Sequence, residues 1–224
     1  MELPSAGWGG DVPVLDELFG RAALETPTAL RGWDDRVAAW LDDYYSAWPD
    51  AQVQEVFVDV AVFLFDLAHD RVVLAYAVST EALTTRDRSQ MAGFPDLNQS
   101  VRSALGDRAF VVDKGHFLGH ASGGRLDINL FAHRRELNRG VSLEGRAFRS
   151  MERFVARSPG TFFYHLARYD DATDIPDKLE YGVHLTGPDW WIGQFDNKGS
   201  CLQRPANKRF EPTARAPYDA KTAS

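Results

Sequence analysis

Three side chains suited to phosphate chemistry share one stretch of the chain: a histidine, His116, an amide, Asn138, and a carboxylate, Glu152. Hydrolysing a phosphodiester needs a base that takes a proton from water and a divalent cation that neutralises charge on the phosphorus and leaving oxygens. Imidazole titrates near neutrality and can take that proton. A hard cation such as Mg²⁺ accepts a neutral amide oxygen and keeps most of its waters, which a carboxylate can then hold. The residue types fit. Other nucleophile or metal sets fit less well. His120 stands four residues after His116, but on a strand or loop that spacing does not align two rings on zinc, and no third ligand is evident. Ser122 and Cys201 lack the neighbouring base of a covalent hydrolase, and His69, His133, His165 and His184 have no evident partner and read as structural.

The elements that must position these residues follow from periodicity. Apolar residues recur at three and four over 14–48 (Leu15, Leu18, Phe19, then Trp33, Val37, Trp40, Leu41, Tyr44), which predicts two N-terminal helices. Runs rich in β-branched and aromatic residues over 53–67 and 72–79 flank a polar turn at 68–71 and predict a long hairpin that anchors an antiparallel sheet. A polar loop follows over 80–95, and Asp96 caps a short helix ending near Gly106. Alternation over 108–118 predicts a strand with His116 near its end; a Gly-rich connection, 119–127, leads to a short helix, 133–139, closed by Gly140. A longer helix over 145–157 gathers Ala147, Phe148, Met151, Phe154 and Val155 on one face and Arg146, Arg149, Arg153 and Arg157 on the other. Strands are expected over 162–169, 179–186 and 190–195, and a disordered tail over 197–224, where apolar periodicity fails. The whole is a single α+β domain over 1–196, without repeats.

Composition sets the outer bounds. With 224 residues, 44% hydrophobic, including six Trp, seven Tyr and fourteen Phe, the chain can bury a substantial core and is neither fibrous nor wholly disordered. The net charge of −7 argues weakly against a nucleic-acid ligand, but it hides an uneven distribution. Between Lys114 and Arg157 nine basic residues face four acidic ones, a local excess of five that leaves −12 elsewhere. One cysteine, Cys201, excludes an intrachain disulfide and a Cys-based zinc site. The most apolar stretch, 56–68, is too short for a membrane span and contains Asp59 and Asp66, and the N-terminus lacks the pattern of a secretory signal.

Four short motifs in fixed order carry a resemblance: DKGH at 113–116, NLFAH at 129–133, LNRG at 137–140 and SME at 150–152. Their order resembles the DNA/RNA non-specific endonuclease family, nucleases of the ββα-metal fold, whose signature runs Asp-Arg-Gly-His, Asn-Leu/Ile-x-Pro-Gln, Leu-Asn-x-Gly and then a helical Glu. The resemblance covers about 110–183, since 162–183 looks like the strand-turn-strand after the catalytic helix of bacterial members. It implies that His116 is the general base, Asn138 the direct ligand of Mg²⁺ or Mn²⁺, Glu152 the acid on metal-bound water and Asn129 a supporting residue. Lys114 stands where the family has Arg, Ala132-His133 replaces Pro-Gln, and the Asn138-to-Glu152 gap is long, which makes Glu144 a competitor of Glu152. Arg86 and Arg88 are the candidates for the family's upstream transition-state Arg.

The function that the resemblance implies is metal-dependent hydrolysis of DNA and RNA with little sequence preference, leaving 5′ phosphates. Lys114 together with Arg139, Arg146, Arg149 and Arg153 would grip phosphates, which suits backbone rather than base recognition. A smaller phosphodiester is a second substrate class, and a catalytically inactive nuclease-like binding or inhibitor protein is the rival from another class. Lacking a signal, such an enzyme is expected to be cytoplasmic or a toxin delivered into another cell, with a cognate inhibitor or immunity protein as partner and no membrane association.

Overall fold

Trp33, Leu41 and Tyr44 recur at helical spacing and are buried along one side of α1, Trp33–Ala47, with Asp34 and Asp35 in the first turn, where the helix dipole favours acids. The computed structural model describes residues 32–81, 111–125, 127–185 and 189–198. The expected helix before residue 32, the short helix after Asp96, Arg86, Arg88, Cys201 and the tail from 199 lie outside the described residues.

Six strands form one wholly antiparallel sheet in the order β1-β2-β3-β6-β7-β8. They are β1 Val53–Val58, β2 Ala61–Asp66, β3 Arg71–Val78, β6 Phe162–Arg168, β7 Lys178–His184 and β8 Trp190–Asp196. The expected single strand over 53–67 is two strands. The chain reverses at Asp59-Val60, where Asp59 takes φ 54°, a left-handed conformation that Asp tolerates better than most residues, and Val58 pairs with Ala61. One sheet face packs on α1: Trp33 meets Tyr76, Phe162 and Tyr164 at ring-centroid distances of 5.3, 4.9 and 5.3 Å.

The other face carries the segment between β3 and β6, which leaves and re-enters the sheet at neighbouring strands. That segment holds β4 Val112–His116 and β5 Leu130–Arg134, paired antiparallel as a separate two-stranded sheet, then α2 Arg135–Asn138 and α3 Leu143–Arg157. Ser79, only 2% exposed, ties the two ends together: its N–H donates to the Thr161 carbonyl (2.8 Å), its Oγ to the Ser158 carbonyl (2.8 Å), and its carbonyl accepts from Gly160 N (2.7 Å). Phe148, Met151 and Val155 of α3 sink into the core between the two sheets with Phe117, Phe131, Phe163, Tyr181 and Phe195. Phe154, expected among them, lies 37% exposed and meets Trp191 edge to face.

Three further expectations are corrected. His133 belongs to β5 and pairs opposite Asp113; the helix begins only at Arg135, because Leu130, Phe131 and Ala132 are taken up by pairing with β4. The turn at Gly140 is as expected: φ is 70°, Gly140 N donates to the Leu137 carbonyl (3.2 Å) and Val141 N to that of Glu136 (3.1 Å). α3 starts two residues earlier than expected, since Ser142 Oγ caps it by accepting from Gly145 N (2.9 Å). Asn197 and Lys198, assigned to a disordered tail, are buried. The Asn197 amide donates to the carbonyls of Ala132 and Pro176 (2.9 Å each) and accepts from Arg134 N (2.9 Å), while Lys198 Nζ reaches Asp170 (2.5 Å) and Asp171 (2.7 Å). No described helix is long and apolar enough to cross a membrane.

Candidate functional site

The β4/β5 register sorts the first motif onto two faces. Lys114 and His116 stand opposite Ala132 and Leu130 on one face, and Asp113 and Gly115 opposite His133 and Phe131 on the other. Lys114 and His116 are both half-buried. Glycine is required between them: a Cβ at Gly115 would stand 2.5 Å from Nδ1 of the His133 ring, which lies across the strand at that point. Asp113 does not face a phosphate site. It accepts from Arg139 (Nε 2.6 Å, Nη2 3.2 Å) and Arg135 (Nε 2.9 Å); although partial burial opposes it, this pair of guanidiniums holds the carboxyl below its usual range.

Asn129, 1% exposed, fastens the loop that follows His116. Its Oδ1 accepts from Leu118 N (2.8 Å), its Nδ2 donates to the carbonyls of Leu118 (2.8 Å) and Arg125 (2.6 Å), and its own carbonyl accepts from Phe117 N (2.9 Å). The residue acts by positioning. Truncation leaves the buried Leu118 amide group without partners, so Asn129→Ala is expected to cost about 1–3 kcal/mol for each unsatisfied group. Thermal melts check this, and an unchanged melting temperature would exclude the anchoring role.

Glu152 reaches the same loop from α3: a Cβ on Gly119 would lie 3.9 Å from Glu152 Oε1, three residues past His116. Arg149 Nη1 donates to its other oxygen (2.7 Å). Burial raises the Glu152 carboxyl above its ordinary range, an effect that Arg149 and, more weakly, Arg153 oppose. Glu144, the competing acid, points elsewhere. It accepts from Asp196 N (2.6 Å) and from Arg134, pinning the start of α3 to the end of β8. The tight junction of α2 and α3 depends on Gly145, whose Cβ, if present, would be 3.1 Å from the Leu137 carbonyl and would collide with that of Glu136. Asn138, the last residue of α2, is half-buried, and its amide makes no hydrogen bond among the described residues.

The arginine stripe is exposed as expected but partly committed. Arg139 serves Asp113 and Arg149 serves Glu152, whereas Arg146 Nη1 donates to the Val141 carbonyl (3.3 Å) and Arg153 Nε to that of Arg149 (3.0 Å). His120 Nδ1 lies 3.3 Å from the Gly124 carbonyl, and among the described residues no group of three or more His, Cys, Asp or Glu side chains is placed to hold a metal. The Asp113 clamp on Arg135 and Arg139 was not anticipated. Its signal in the sequence is two arginines four apart on a helix immediately after a strand that must run beside Asp113.

No protein-family model matches this chain, and no curated protein matches it.

Proposed function

We propose that the protein is a divalent-metal-dependent endonuclease that hydrolyses DNA and RNA with little sequence preference. One observation carries the reading: Glu152, on the helix after the β4/β5 hairpin, returns to the loop that begins at His116 and that Asn129 fastens. A hairpin followed by a helix, with these residues in this order, is also the layout that the resemblance to ββα-metal nucleases leads one to expect. The donor set fits Mg²⁺ or Mn²⁺. A half-buried amide without a hydrogen-bond partner among the described residues offers a neutral oxygen, and Glu152, a largely buried carboxylate that reaches Gly119, is the type of group that holds retained waters.

In this reading Asn138 and Glu152 would hold the cation, and the cation would supply charge neutralisation for the leaving 3′ oxygen. His116 takes the proton from the attacking water. Lys114, on the same face of β4, keeps a cation next to the base; being a point charge without a planar fork, it contacts a phosphate through one oxygen at a time. Arg146 and Arg153, which donate to the backbone carbonyls of Val141 and Arg149, draw the polymer by its backbone.

The second reading, a nuclease-like protein that binds without cutting, draws support from the ion pairs that occupy Arg139 and Arg149. One assay separates the two. Purified protein is incubated with supercoiled plasmid and with RNA in Mg²⁺, Mn²⁺ or EDTA. Degradation of both polymers with either metal and none with EDTA is expected; an inert protein in both metals would defeat the nuclease reading and leave the binding protein.

A further inference from the structure

We infer that Val141 and Leu143 form an apolar wedge that inserts against the bases of a bound nucleic-acid strand, beside the arginines that hold its phosphates. The inference rests on the nucleic-acid reading above. Among the large hydrophobic side chains of the described residues these two are the most exposed, at 64% and 76%. Both are held firmly outward. Val141 N is bonded to the Glu136 carbonyl, and the intervening Ser142 caps α3 through its side chain, so neither apolar residue can turn inward without breaking the α2–α3 corner.

The surroundings identify the occupant. Two arginines flank the Val141 end of the corner: Arg146 donates to the Val141 carbonyl, and a Cβ at Gly140 would lie 2.9 Å from Cγ of Arg149, whose side chain is 47% exposed. A small apolar tip flanked by two arginines matches a polymer whose phosphates alternate with flat apolar base faces, and apolar side chains inserted at a base step partly unstack it. The tip is also continuous with the candidate site, because Arg149 bonds Glu152, which reaches the loop after His116. The wedge therefore opens the base stack beside the bond to be cut, and the preferred substrate is a strand that unstacks readily, single-stranded or locally distorted.

The test uses the full chain in EDTA, so that no cleavage occurs, with oligonucleotides carrying 2-aminopurine, whose fluorescence rises on unstacking. Wild type should bind with salt-dependent affinity and raise the fluorescence several-fold. Val141→Ser/Leu143→Ser should keep most of the affinity and its salt dependence but lose the rise at saturation; both side chains are exposed, and an unchanged melt confirms the fold. Arg146→Gln should do the converse, weakening binding while keeping the rise at saturation. An equal rise in the double-serine variant would overturn the wedge and leave the nuclease reading intact. A wild-type dimer that the double-serine variant abolishes would reassign the patch to a second copy of the chain. Absence of any nucleic-acid binding would overturn both readings together.

Discussion

His116→Ala is expected to slow metal-dependent cleavage by about 10²–10⁴-fold, the usual contribution of a positioned general base. That corresponds to roughly 3–5 kcal/mol of barrier. The fold should barely respond, because β4 pairs with β5 through its backbone and the His116 ring is only half-buried. Single-turnover rates on plasmid DNA at saturating Mg²⁺, beside a thermal melt, separate lost chemistry from lost structure. Asn138→Ala should differ in kind: it raises the Mg²⁺ concentration needed for half-maximal rate, whereas His116→Ala leaves that concentration unchanged. A His116→Ala protein that cuts at the wild-type rate would remove His116 from the mechanism.

Acid should destabilise the protein through its two buried histidines, beginning near the ordinary imidazole range. His133 and His165 are each 1% exposed, and none of their ring nitrogens has a hydrogen-bond partner among the described residues. Burial pushes His165 down to about 3; burial, reinforced by His165 and Arg134 and opposed by Asp113, pushes His133 well below its ordinary range. Both stay neutral in the fold but gain a proton in the unfolded chain below about pH 6.5, so the unfolded state binds more protons and stability falls as the pH drops. The loss begins near 6.5 and continues towards the depressed folded values. At pH 5 His165 costs about 2 kcal/mol out of a typical 5–15 kcal/mol, and His133 adds to the loss in the same direction. Asp66, Asp113 and Asp171 are held below their usual range; the stability they confer is present above about pH 4 and is lost only at lower pH, outside this window. Denaturant melts at pH 7 and pH 5 should show the fall in wild type and a smaller fall in His165→Phe, which keeps a ring against Tyr181 (3.9 Å between centroids). The same fall in His133→Phe/His165→Phe as in wild type would refute the account.

The elements that were legible are those whose signal is local. β6, β7 and β8 showed themselves through β-branched and aromatic runs bounded by turn residues, and α3 through its two faces. Asp59 was missed because a left-handed residue inside an apolar run leaves the alternation almost intact. His133 was placed on a helix because the strand it pairs with lies twenty residues away, so its strand state depends on a distant partner. Asn197 and Lys198 look like tail by composition, and their order comes from acceptors at Ala132, Pro176, Asp170 and Asp171. At the candidate site, motif order singled out His116, Asn129, Asn138 and Glu152, but helical periodicity could not separate Glu144 from Glu152. Packing turns Glu144 towards β8 and Glu152 towards Gly119, a difference of tertiary contacts that spacing along the chain does not carry.

The segment closed by Ser79 has a consequence for how this chain can vary. Val78 and Phe162 are register partners in neighbouring strands, so the segment between them starts and ends within one inter-strand spacing. Residues gained or lost inside it leave every pairing of the six-stranded sheet unchanged, and doubling the length of such a closed loop costs only about 0.6 kcal/mol in chain entropy. Related chains can therefore differ in the length of this segment while their sheets superpose strand for strand.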